Sequence, residues 1–160
     1  MEQRTPDDVQ AALNALDLPI QVIIFAESTA TAPEAAAAIG TELGTIVKSL
    51  CFMVDGEPVV MLVAGDRRVD TRKIAALYEV GRKKVKIANF EATIEATGYA
   101  PGGVPPVGHI QELPVLIDQS LTRYELVYGA AGSPNAIFPI AFETLIEVTG
   151  GQVADIAEDV

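Results

Sequence analysis

Apolar residues recur along this chain at two spacings, and the switches between them divide it into short elements. After Thr5-Pro6, Val9, Leu13 and Leu16 fall at helical spacing, which predicts an opening helix with a threonine cap, a proline in its first turn and one apolar stripe. Residues 20–25 predict a strand after Pro19. Thr31 and Glu34 make a Thr-x-x-Glu capping box for an alanine-rich helix that stops at Gly40. Residues 45–54 and 58–64 are β-rich runs joined by Asp55-Gly56, the pair expected in a two-residue hairpin turn. Asp70 caps a helix expected to face Ile74, Leu77 and Tyr78 inward and to stop at Gly81, with a basic strand over 82–87 after it. Asn89 opens another helix, which ends at Gly98. Strands are then expected near 115–117, 124–128 and 136–140, and a last helix over 141–149. Strands slightly outnumber helices and include a hairpin. The predicted fold class is therefore α/β of the α+β type: a mixed, curved, mainly antiparallel β-sheet flanked by helices.

Composition narrows the functional class. One domain over 1–160 accounts for the 160 residues, because a core of this size removes roughly 70% of the unfolded surface from water. Although 49% of residues are hydrophobic, the longest apolar runs, such as 59–64, fall far short of the roughly 20 residues that span a bilayer, so no membrane partner is expected. The acidic, helix-capped start is unlike a signal peptide, and a reducing cytoplasm is the expected compartment. A single cysteine, Cys51, and a single histidine, His109, allow neither an internal disulfide nor a structural zinc site; no metal and no cofactor are expected. The net charge of −11 argues against nucleic acid until its distribution is read. Eight of the 11 Lys and Arg residues lie between positions 67 and 86 against two acids, Asp70 and Glu79, a local charge of +6 on a body of −17. Such an island suits either a limited contact with a polyanion or a solvated helix face and charged edge strand.

Candidate chemistry centres on one charge and one loop. Lys48 lies inside the first hairpin strand and shares a face with Ile46, Leu50, Phe52 and Val54, while Val47, Ser49, Cys51 and Met53 on the other face are hardly more polar. An ammonium in such a strand either lies at a cavity wall, where an anion or polarised carbonyl offsets its desolvation, or snorkels to solvent. The loop 98–108 holds four glycines and three prolines, with Gly98, Tyr99, Pro101, Gly102 and Gly103 at its start. It can present backbone N–H groups to an anion or a developing oxyanion, or simply cap a helix and stiffen a connection. Ser133, Pro134 and Asn135 form a second turn, Asp118 ends a strand, and His109 is the one group that titrates near neutrality. There is no Gly-x-Ser-x-Gly elbow, phosphate-binding lysine loop or His-Glu-x-x-His, which removes the commonest hydrolase and nucleotide-dependent classes.

The order of Thr45-Ile-Val-Lys48-Ser-Leu, Thr97-Gly-Tyr-Ala-Pro-Gly-Gly-Val-Pro-Pro-Val-Gly108, Val115-Leu-Ile-Asp118 and Gly132-Ser-Pro-Asn135 resembles the YbaK/ProX family, which includes the editing domain inserted in bacterial prolyl-tRNA synthetases. The resemblance runs from about Thr5 to Ile156. It implies hydrolysis, in trans and without metal, of the ester joining a wrong amino acid to the 3′ end of tRNA, with tRNAPro carrying Ala, Cys, Ser or Thr as the expected substrates. Aminoacyl-tRNA is then the partner, and prolyl-tRNA synthetase a candidate second one. Lys48 matches the family's essential lysine and would hold the phosphate or ester region at the terminal adenosine. Gly98, Pro101, Gly102 and Gly103 match the loop that cradles the aminoacyl end. Ser133, Pro134 and Asn135 fall where relatives place pocket residues, several of them a histidine that this chain lacks. Tyr99, His109 and Asp118 are carried as substrate-side residues, Asp118 in an orienting role, and Arg82, Lys83 and Lys84 as the tRNA contact. Two other readings stay open at this point: a non-catalytic binder of aminoacyl-adenosine-like ligands, and a regulatory module that uses only the basic segment.

Overall fold

In the computed structural model, which describes residues 2–160, the strand Glu57–Ala64 shows why the core lies where it does. Val60, Leu62 and Ala64 fill one side and Val59, Met61 and Val63 the other, all at 2% exposure or less. A strand apolar on both faces belongs in the middle of a sheet covered on both sides. This strand, β3, is the hairpin partner of β2 (Ile46–Val54), paired antiparallel from Val47↔Ala64 to Val54↔Glu57. Asp55 and Gly56 join them with φ of 50° and 83°, the left-handed pair that matches strand twist. The strands β1 (Ile23–Ile24), β4 (Val85–Ile87), β5 (Val115–Asp118), β6 (Leu126–Ala130), β7 (Ala136–Ala141) and β8 (Gln152–Ala154) complete one sheet in the order β1-β7-β6-β2-β3-β5-β8, with β4 also laid against β2. Among the described residues four pairings are antiparallel and three parallel, so the sheet is mixed.

Helices cover both faces. On the Val47–Leu62 side, Val9 and Leu13 of α1 (Pro6–Ala15) and Phe142 and Leu145 of α5 (Phe142–Thr149) are buried in one cluster, and α4 (Phe90–Thr97) sets Ala92 and Ala96 against Cys51 and Met53. On the other side α2 (Ala32–Ile39) packs three alanines on Ile46 and Ile137, and α3 (Thr71–Tyr78) packs Ile74 and Ala75 on Phe52, Val59 and Met61. Lys48 emerges on this second face, between the ground of α2 and that of α3.

Several expectations change. The strand expected over 20–25 shrinks to Ile23–Ile24, because the Gln10 side chain donates to Ile20 O and accepts from Val22 N, tying that segment to α1. The stretch 82–87 opens as a 3-10 turn, Arg82–Lys84, and becomes strand only at Val85. Helix α3 stops at Glu79 (φ 55°) rather than Gly81: the Val80 N–H returns to Ala75 O and Val80 packs on the core, while Leu77 and Tyr78 stay 43% and 37% exposed. The strand expected at 124–128 lies at Leu126–Ala130, after a 3-10 turn, and β8 has no counterpart in the sequence reading.

Candidate active site

The site begins with an irregularity in β2. One edge of this strand is fully engaged by β3. The other pairs with β6 only at Ile46 and Val47, and with β4 only from Phe52 to Val54. The strands β6 and β4 diverge, and a cavity of about 300 Å³ opens at the gap, lined by Lys48, Ser49 and Leu50, by Thr29–Ala32 ahead of and within α2, by Tyr128–Ala130, and by Gly102 and Val104. Most of these groups are apolar.

Lys48 is half-buried here, and its Nζ donates to the Arg67 carbonyl just beyond β3. Burial first, then the neighbouring Arg68, lowers its pKa from the usual 10.5, with Asp66 pulling the other way. Asp66 is itself held by Arg123 through two bonds of 3.0 and 2.7 Å and by Arg67 at 2.9 Å, so its charge is largely spent on arginines. The Lys48 ammonium is thus a partly desolvated cation whose one partner among the described residues is a neutral carbonyl, the state in which an incoming anion has most to offer it.

The proline-glycine loop divides its labour. Gly98 is the left-handed cap of α4 (φ 92°), and its carbonyl accepts from Arg4 N at 2.8 Å. Tyr99 is fully buried with its hydroxyl donating to Gly108 O at 2.8 Å. Both hold the loop rather than face the cavity. Ala100-Pro101-Gly102-Gly103 forms a tight turn closed by Gly103 N to Ala100 O at 3.0 Å, with Gly102 at φ 92° in the position that needs glycine. The Gly103 amide is therefore committed, whereas the Gly102 and Val104 amides have no acceptor among the described residues and belong to the residues lining the cavity. A Cβ on Gly103 would come within 3.0 Å of Ser133 N, so Gly103 allows the two loops to touch.

The second loop works from behind. Pro134 O accepts from Thr29 N at 2.7 Å, and the Asn135 carbonyl and side-chain amide bind Phe25 N and O at 2.8 and 3.0 Å. Ser133, Pro134 and Asn135 thereby fix the 25–29 segment that leads into the cavity wall. Asp118 stands elsewhere: it is 1% exposed, with one oxygen accepting from Ser120 N and the other from Ile156 N. His109 also lies apart, in a separate depression between the end of α1 and α5, its Nε2 bonded to Pro105 O at 2.7 Å and its pKa lowered from 6.5 by burial. Arg82, Lys83 and Lys84 are exposed, as is Lys86, and none has an ion-pair partner among the described residues. Of the residues singled out from sequence, the structure thus brings Lys48 and Gly102 together at the cavity, with Gly103 and the 133–135 turn as its backing. Thr29, Ser49 and Tyr128 are wall residues that carry no signal in the sequence, and the capping box at Thr31 is legible there without marking the cavity it lines.

The family model of the aminoacyl-tRNA editing domain matches residues 26–148, a span that takes in Lys48, both loops and Asp118. The uncharacterised protein YwhH of Bacillus subtilis is 34% identical over 137 residues, covering 84% of this chain and 85% of that one. A protein of Enterococcus faecalis named as a candidate Cys-tRNA(Pro)/Cys-tRNA(Cys) deacylase, EbsC, is 29% identical over 133 residues, covering 82% and 80%. The proline–tRNA ligase of Maridesulfovibrio salexigens matches at 37% over 100 residues, which is 62% of this chain but 17% of the ligase. A solved structure described as a candidate trans-editing enzyme for prolyl-tRNA synthetase superposes with a TM-score of 0.90 at 39% identity, covering 99% of this chain and 100% of that one. The chain belongs to the aminoacyl-tRNA editing-domain family, enzymes that deacylate aminoacyl-tRNA.

Proposed function

We propose that this protein hydrolyses, in trans, the ester between a small, wrongly attached amino acid and the 3′ end of tRNAPro, with Ala, Cys, Ser and Thr as the candidate acyl groups. The observation that carries the reading is that a half-buried Lys48 and the uncommitted amides of Gly102 and Val104 line one cavity. Lys48 exchanges the Arg67 carbonyl for the phosphate at the terminal adenosine and so fixes the ester. Water attacks the ester carbonyl, and the loop amides take up the charge that grows on its oxygen, a contribution of about 10²–10³ in rate per donor. Asp118 and His109 are spent on the fold, so proton transfer falls to substrate hydroxyls or the substrate's own amine. No metal enters this scheme. The wall of Ala30, Ala32, Ala35 and Val104 leaves room for a small side chain, and a pocket of this kind separates neighbours by only about 1–3 kcal/mol per methylene.

The basic turn extends the contact. Val85 pairs with Val54, six residues along β2 from Lys48, which puts the Arg82–Lys84 turn about 20 Å from the cavity at 3.3 Å per residue. A stacked strand rising 3.4 Å per nucleotide covers that distance in roughly six steps, the scale of an acceptor end. A free-standing editing activity of this kind complements a prolyl-tRNA synthetase in the cytoplasm, whether or not the two proteins touch.

The test is a panel of alanyl-, cysteinyl-, seryl- and threonyl-tRNAPro with the native protein and with Lys48→Ala. Loss of at least one ester with the native protein is expected, in the presence of a chelator as in its absence, and Lys48→Ala should abolish it while the melting curve stays unchanged. Retention of all four esters with binding intact would replace the hydrolase with a binder of aminoacyl-adenosine-like ligands. A silent Lys48→Ala would leave only a regulatory module acting through the basic turn.

A further inference from the structure

The gap in β2 exposes more than side chains. The Gly65 N–H bonds to Ile46 O, so the backbone groups of Ile46, Lys48 and Leu50 point towards β3; the Ala88 N–H bonds to Cys51 O, so those of Val47, Ser49 and Cys51 point to the outer edge. On that edge β6 pairing ends at Val47↔Gly129 and β4 pairing begins at Phe52↔Ile87. The N–H and C=O of Ser49 therefore face the cavity with no strand opposite them, and neither has any other partner among the described residues. The Ser49 Oγ adds a second, independent observation. It is one of two buried side-chain polar atoms among the described residues without a hydrogen-bond partner. Buried groups left open in this way are costly unless a ligand meets them.

We infer that Ser49 is the docking point for the α-amino acid moiety, which pairs with it as a one-residue strand. This rests on the aminoacyl-tRNA reading above. In an antiparallel hydrogen-bonded pair each residue gives one N–H and receives one at its carbonyl. An aminoacyl ester offers that same pair of groups on one carbon: its carbonyl oxygen accepts from the Ser49 N–H with one lone pair, leaving the other to the loop amides, and its α-amine donates to the Ser49 C=O. A second amine hydrogen goes to Oγ once rotation about the Ser49 Cα–Cβ bond turns it from its buried position to the ligand. With an α-amino pKa of about 8, the neutral amine still supplies both hydrogens beside the Lys48 charge. Ser49 is thus a substrate-binding residue that selects for an α-amine, independent of which side chain the cavity accepts.

Binding tests this without depending on turnover. Two non-hydrolysable 3′-amide adenosine analogues, one alanyl and one propionyl, differ only in the α-amine. The alanyl analogue should bind at least about tenfold more tightly and shift the Ser49 amide resonance. Ser49→Ala should weaken the alanyl analogue about fivefold and leave the propionyl analogue unchanged, and Ser49→Thr, which keeps the hydroxyl, should restore the preference. Equal affinity for the two analogues, an unmoved Ser49 amide, or equal loss for both in Ser49→Ala would overturn the assignment. Failure of the hydrolase reading shows instead as intact esters in the deacylation panel, whatever the analogues do.

Discussion

The two edges of β2 present opposite solutions to the same backbone. Towards β3 every residue from Val47 to Val54 has a partner, and the β3 side chains from 59 to 64 are buried on both faces. Towards β6 and β4 the pairing fails in the middle, and the unpaired stretch coincides with Lys48 and Ser49. The closed edge holds the sheet together, and the open edge supplies polar groups that the fold leaves unused. Stability and chemistry are therefore separable across a single strand, and substitutions on the two sides should fail in different assays.

The largest effect is expected on the closed side. Leu62 is fully buried in the main cluster, and Leu62→Ala should cost about 2–5 kcal/mol in chemical denaturation, with deacylation per folded molecule close to native. On the open side the ranking reverses. Gly102 has room for a methyl group, since a Cβ there meets Ala30 at 3.5 Å, but its φ of 92° is unfavourable for alanine. Gly102→Ala should cost only about 1–2 kcal/mol of stability yet lower the single-turnover rate by about 10² as the loop amides move. A Leu62→Ala protein that is stable but inactive, or a Gly102→Ala protein that is destabilised but fully active, would erase the distinction between the edges.

What the sequence made legible follows the same division. Lys48 stood out because a charge in an apolar strand is a local anomaly, and Pro101-Gly102 because turn chemistry is local too. The hairpin was readable from Asp55-Gly56 for that reason. The open edge was not, because it depends on where β6 and β4 part from β2, partners some 30 to 80 positions distant in the chain. Asp118 and His109 attracted notice as titratable residues near strand or loop ends. Their backbone partners, Ile156 and Pro105, are what the pattern cannot supply.

The basic turn tests how far the open side extends. Arg82, Lys83 and Lys84 lie on the same edge of β2 as the cavity, beyond β4, exposed and unpaired with acids. Replacing all three with glutamine should weaken tRNA binding about tenfold and reduce the slope of log affinity against log salt by about 2–3, while hydrolysis of a short aminoacyl-minihelix ending before the turn is barely affected. An unchanged salt slope would confine the functional edge to the gap itself.

The smallest effect concerns His109, which belongs to neither edge and should report only on stability. Burial holds its pKa below 6.5 in the folded protein, with the bond to Pro105 O opposing that shift. The unfolded chain therefore takes up a proton first as pH falls. Stability contributed by the neutral imidazole is complete above pH 6.5, declines as pH drops from 6.5 towards the folded value, and levels off below it. The slope cannot exceed one proton, about 1.4 kcal/mol per pH unit, and carboxylates dominate only at lower pH. Urea titrations between pH 7 and 5.5 should show this decline in the native protein and a flatter profile in His109→Gln, with deacylation at pH 7.5 equal in the two. A loss of activity in His109→Gln at pH 7.5, with stability unchanged, would instead bring the depression between α1 and α5 into the catalytic account.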